Sequence, residues 1–114
     1  MITVDDVRQV ARTLPRAYEV LVRDRIKFRV GSLVFVAFSR DETLMGFGFP
    51  REEREHLVSS RPETFQMPSP GDMRYQWVVA DMAALEPDEM EELVIDAWRM
   101  CVPKGVARTY LEGI

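Results

Sequence analysis

The sequence holds one cysteine and one histidine, Cys101 and His56. A single thiol excludes any internal disulfide framework, and the two residues together fall short of the Cys/His sets that bind structural zinc. No apolar run approaches the roughly 20 residues needed to span a bilayer. The opening stretch, MITVDDVRQV, lacks the basic segment and apolar run of a secretory signal. There is no surplus of positive charge either. With 15 Lys and Arg against 19 Asp and Glu the formal charge is −4, which argues against a protein that coats nucleic acid nonspecifically by neutralising phosphates. These absences predict a soluble, reduced, cytoplasmic chain with no membrane partner, no metal and no cofactor.

What is present is ordinary for a globular protein: 114 residues, 46% of them hydrophobic. That is enough for one core, and hence one domain over residues 1–114. The charge is unevenly placed. Residues 1–40 carry eight basic and four acidic side chains, net +4, and residues 41–114 carry seven and fifteen, net −8. The plainest expectation is that the two halves neutralise each other across the fold. The alternative is a basic face on an acidic protein.

Apolar spacing divides the chain into elements. Thr3 is placed to cap a first helix, whose stripe Val4, Val7, Val10, Ala11 and Leu14 recurs at helical spacing until Pro15 stops it. From Leu21 the period becomes two: Val22, Ile26, Phe28 and Val30 alternate with Arg23, Arg25, Lys27 and Arg29, as in a strand with one buried side. Gly31-Ser32 suits a type II′ hairpin turn. Leu33–Phe38, apolar on both sides, reads as a central strand, and Leu44–Phe49 as a third. Pro50 opens a short charged helix over Arg51–Ser59. Arg61–Met73, with three prolines and a glycine, reads as an irregular loop, and Arg74–Ala80 as a further strand. A final helix opens at Pro87 with stripe Met90, Leu93, Val94, Ala97, Trp98, Cys101 and Val102 and breaks at Pro103-Lys104-Gly105. Val106–Leu111 adds one short helical turn. The order predicts an antiparallel α+β domain with helices on one face of the sheet.

ARTLPRAYE, IKFRVGSLVFVAFSRDETLMGFGFP, RYQWVV and ELVIDAWRMCVPKGVARTYL together resemble the MmcQ/YjbR family of small bacterial proteins over nearly the whole chain. The resemblance implies an α-β(3)-α-β(2)-α fold related to type III secretion chaperones, and a family commonly described as DNA-binding with no established catalytic residues. Many members carry a His-Met-Asn-Lys stretch before the tryptophan. Here Gln66-Met67-Pro68-Ser69 stands instead, so no role of those polar residues carries over.

The residues themselves offer little for catalysis. Cys101 lies in an apolar stripe, where a thiol behaves as a small hydrophobe. His56 sits in a charged helix as a surface residue. Glu52/Glu53 and Glu91/Glu92 are sequence neighbours that point apart on a helix. Gly46-Phe47-Gly48 lacks the lysine and helix of a phosphate loop. The chain is therefore read as a non-enzyme. Its candidate binding residues are Arg23, Arg25, Lys27 and Arg29 on one side of a strand, extended by Arg74, Lys104 and Arg108. Around a two-residue turn Arg29 pairs with Val34, Lys27 with Val36 and Arg25 with Phe38, which places Phe38 on the same face beside Gly46 and Gly48. Such a face suits DNA. It equally suits a small molecule or peptide with apolar and anionic parts, under the Arg61–Met73 loop as a lid. The plainer alternatives are a homodimer interface, or solvated basic residues whose apolar remainder is covered by Val106, Tyr110 and Leu111. The oligomeric expectation is a monomer or homodimer. Tyr75 and Trp77 are expected in the core, as is Trp98.

Overall fold

The computed structural model describes residues 1–113. Helix α1 (Val4–Ala11) begins with a capping box: the Thr3 hydroxyl accepts from the Asp6 amide and the Asp6 carboxylate accepts from the Thr3 amide. Two donors that a helix start leaves unpaired are thereby satisfied. Four strands follow, β1 (Ala17–Val22), β2 (Arg25–Val30), β3 (Leu33–Phe38) and β4 (Leu44–Gly48), then helix α2 (Arg51–Ser60). A two-residue strand β5 (Phe65–Gln66), a 3-10 turn (Pro70–Asp72) and β6 (Trp77–Asp81) lead to helices α3 (Pro87–Arg99) and α4 (Lys104–Glu112). The strands form a single antiparallel sheet in the order β1-β2-β3-β4-β6-β5.

This is the expected antiparallel α+β class, with the short β5 in the stretch that reads as a loop, one strand more before α2, and one fuller C-terminal helix than the spacing predicted. The extra strand comes from a turn at Arg23-Asp24, whose φ values of 52° and 66° are those of a type I′ hairpin. Neither residue is the Asn or Gly that usually announces such a turn, so the alternation of Leu21–Val30 reads as unbroken. Val22, expected beside Ile26 and Phe28, instead pairs with Arg25 on the other side of the sheet. The Gly31-Ser32 turn is as expected, with Gly31 at φ 58°.

The β2–β3 register differs in one step. Arg29 pairs with Val34, but Phe28 pairs with Val36 and Lys27 with Ala37, so Phe35 is an extra residue in β3, a β-bulge. The bulge lets Phe35 and Phe38, three positions apart, both reach the Phe28 ring, at centroid distances of 6.5 and 6.3 Å. The expected Lys27–Val36 and Arg25–Phe38 pairs therefore do not form. An all-apolar strand reads the same in either register, and only packing chooses.

One face of the sheet, bearing Phe28, Val36, Phe38, Met45, Phe47, Val78, Ala80 and Phe65, is buried in the core with residues of α1 and α3. Trp98 of α3 is fully buried, as expected, and its indole donates to the Pro15 carbonyl at 2.9 Å. Tyr110 of α4 packs edge-on against it, and its hydroxyl meets that of Thr13 beyond α1. The C-terminal segment is thus tied to the helical layer by Tyr110. The 61–73 stretch is not wholly irregular either: Thr64, Phe65 and Pro68 are buried and Phe65 pairs with Ala80. A stretch anchored in this way is poorly suited to serve as a lid.

Candidate nucleic-acid interface

The second face of the sheet follows from the pairings, since directly opposed residues share a side. Tyr18–Arg29–Val34, Val20–Lys27–Ala37–Gly46–Val79–Gln66 and Val22–Arg25 lie across it. Trp77 lies over Gly46: a Cβ there would come within 2.5 Å of the indole nitrogen. Gly46 is therefore covered by an aromatic ring rather than left as bare backbone. Trp77, expected in the core, is half-buried on this face, and Tyr75 is 51% exposed. Tyr75 precedes β6, and Trp77 pairs with Gly48 on the sheet face that the core does not occupy.

Five of the eight cations of the first forty residues lie on this face or at its end. Lys27 and Arg29 stand two positions apart on β2, about 6.6 Å by strand geometry. At the sheet end, Arg25 donates from Nε to the Phe38 carbonyl at 3.0 Å. Arg40, in the β3–β4 turn, donates from Nε to the Arg23 carbonyl at 3.1 Å. Arg23 is in the β1–β2 turn and not on a strand, yet this bond holds it in the same group. None of these five cations makes an ion pair among the described residues. The four ion pairs present are Arg8–Asp5, Arg8–Glu19, Arg61–Glu89 and Arg99–Asp96. Every one lies within its own half of the chain, so no ion pair among the described residues joins the two halves.

Of the acids in the two neighbouring turns, Asp24 and Glu42 make no ion pair with these cations, and Asp41 and Asp81 are engaged within their own turns. The Asp41 carboxyl is held below its usual value by the Ser39 and Thr43 hydroxyls that donate to it in the turn. Asp81 accepts from the Ala83 amide. The Nε of Arg29 is shielded from solvent with no partner among the described residues. Its stem therefore lies against the sheet, and no ion pair fixes the charge.

The other candidates lie elsewhere. Phe38 is fully buried in the core and pairs with Met45. It offers the site only its carbonyl, because the bulge turned its ring inward. Arg74 lies just before β6, its guanidinium 4.9 Å above the Tyr75 ring and bonded to that hydroxyl. Lys104 and Arg108 line a separate groove of about 630 Å³ between α3, α4 and the β4–α2 corner, with Phe49, Met100 and Leu111. His56 is exposed, and burial pushes the half-buried Cys101 thiol up, the opposite of activation.

One functional-looking residue escaped the sequence reading. Arg54 is buried and donates to the carbonyls of Met73, Tyr75 and Trp77 at 3.0–3.2 Å, fixing the approach to β6. The signal for it was positional. Arg54 stands three and four residues before Leu57 and Val58, on the single apolar stripe of α2.

An antiparallel sheet with one face in the core and a basic second face defines a class of small α+β domain. The crystal structure of Deinococcus radiodurans protein DR2400, with a DUF419 domain, has this fold. It superposes with a TM-score of 0.78 at 20% identity, over 96% of this chain and 88% of that one. The YjbR family model matches residues 12–100, and the chain belongs to that family. No curated protein matches it. No helix among the described residues is long and apolar enough to cross a membrane.

Proposed function

We propose that this YjbR protein is a non-enzymatic DNA-binding module that receives the phosphate backbone on Arg23, Arg25, Lys27, Arg29 and Arg40. The observation that carries the reading is that these five cations cluster on and beside one sheet face with no acid paired to them. Tyr18, 44% exposed, and half-buried Trp77 add rings on which bases stack. The clustering favours a defined site over nonspecific coating, which the net charge of −4 opposes.

Fluorescence anisotropy with labelled single- and double-stranded oligonucleotides tests it. Five neutralised phosphates predict an affinity that falls roughly 100- to 500-fold between about 50 and 200 mM salt. Lys27→Glu with Arg29→Glu is expected to weaken binding at least tenfold at low salt. Absence of binding to either oligonucleotide at low ionic strength, or binding indifferent to salt, overturns the reading.

The groove lined by Lys104 and Arg108 favours a second reading, a small anionic molecule with an apolar part seated against Phe49, Met100 and Leu111. Thermal shifts with aryl carboxylates and aryl phosphates, lost in Lys104→Ala with Arg108→Ala, support it. No shift with either class removes it.

A further inference from the structure

The sheet has two edges, and they are built differently. The β5 edge is two residues long, with Pro62 before it and Pro68 after it, a length and composition that prevent another strand from pairing there. The β1 edge is six residues, Ala17-Tyr18-Glu19-Val20-Leu21-Val22, regularly paired to β2 without a bulge. It contains no proline and no lysine or arginine. Its one charge, Glu19, is held back toward α1 by Arg8 at 2.8 Å, and Leu21 is 69% exposed. Pro15 precedes this edge, but the strand itself is three times as long as β5, regularly paired and free of cations and prolines.

Which backbone groups are free follows from the hairpin. The residues flanking a two-residue turn exchange hydrogen bonds, so Val22, Val20 and Tyr18 direct their backbone groups to β2. Glu19 and Leu21 direct theirs outward, as Ala17 does its carbonyl. We propose that this edge pairs antiparallel with β1 of a second copy of this chain, about a two-fold axis normal to the sheet at Val20. The proposal is independent of the DNA reading.

Self-pairing is favoured because the strand is complementary to its own reverse. With Val20 on the axis, Glu19 exchanges backbone hydrogen bonds with Leu21 of the partner subunit, and Tyr18 lies beside Val22 of the partner subunit. The two glutamates do not face each other, and Arg16 comes beside Asp24 of the partner subunit. This register keeps like faces together, pairs the outward-directed groups of Glu19 with those of Leu21, and puts no like charges in opposition, whereas an axis at Glu19 would set two carboxylates face to face.

Val20 and its copy form a pair without mutual hydrogen bonds, with Cα atoms about 4.5 Å apart, within disulfide range. Val20→Cys is therefore expected to form a covalent dimer on mild oxidation. Leu21→Cys, whose copy lies out of reach, is expected not to, and the parent chain with its single Cys101 serves as the blank. Val20→Glu sets two carboxylates face to face across the axis while giving Lys27 a partner within the monomer. It is expected to be folded by circular dichroism and monomeric by sedimentation at concentrations where the parent chain dimerises. A parent chain that stays monomeric up to about 1 mM, where even a weak interface is half-formed, overturns the proposal. So does cross-linking that is equal at positions 20 and 21, or a folded Val20→Glu that still dimerises.

Discussion

The two faces of β2 are made from the same six residues and meet opposite fates. Phe28 and Val30 enter the core, while Arg25, Lys27 and Arg29 face the other way and remain without acidic partners. On the packed side, stability comes from removing apolar surface from water, and every position is specified by its neighbours. On the other side, the backbone is satisfied by the same hydrogen bonds but the side chains contribute little to stability. A single strand thus separates what holds the protein together from what is available to a partner, and each can change with little cost to the other.

The largest expected effect tests the packed side. Phe47 is fully buried between the Phe49 and Phe65 rings, and Phe47→Ala is expected to cost about 3–5 kcal/mol in urea unfolding. Next is the point where the open face is itself packed. Gly46→Ala drives a methyl into the Trp77 ring and is expected to cost about 1–3 kcal/mol. Most of that is recovered when Trp77→Ala is added, which a double-mutant cycle measures. Lys27→Glu with Arg29→Glu is expected to change unfolding free energy by less than about 1 kcal/mol while impairing DNA binding. A large loss of stability there breaks the contrast between the faces.

The smallest effect concerns the Arg8–Glu19 ion pair, which links α1 to β1. The Arg8 guanidinium, by its hydrogen bond, holds the Glu19 carboxyl below its ordinary value of 4.5. A depressed folded-state value adds stability above about pH 4.5 that is lost as the pH falls through the folded value. Because Glu19 is partly exposed, the amount is below about 1 kcal/mol. Melting temperature measured from about pH 6 to pH 3 is expected to fall slightly less in Glu19→Gln than in the parent chain.

Much of this was legible in advance. The N-cap at Thr3, the II′ turn at Gly31, the stripe of α3 and the burial of Trp98 are local or periodic signals, and each holds in the structure. The misreadings share a cause. The I′ turn at Arg23-Asp24 uses residues whose left-handed conformation has no compositional mark. The bulge at Phe35 lies in a strand whose two faces look alike, so Phe38 was assigned to the wrong side. Tyr75 and Trp77 read as core residues because large aromatics usually fill it, yet Tyr75 lies before β6 and Trp77 falls on the sheet face away from the core. Arg54 looked like one more surface charge until its three carbonyl partners were placed.

By itself the sequence determined the α+β class, the positions of most elements and the alternation that sets cations against core residues along β2, because periodicity and turn chemistry act over a few residues. Tertiary structure alone decided the register at the bulge, the covering of Gly46 by Trp77, the separation of Lys104 and Arg108 from the basic strand, and, among the described residues, the absence of ion pairs between the two oppositely charged halves. These depend on which distant segments meet, and packing and hydrogen-bond satisfaction across the whole chain settle that.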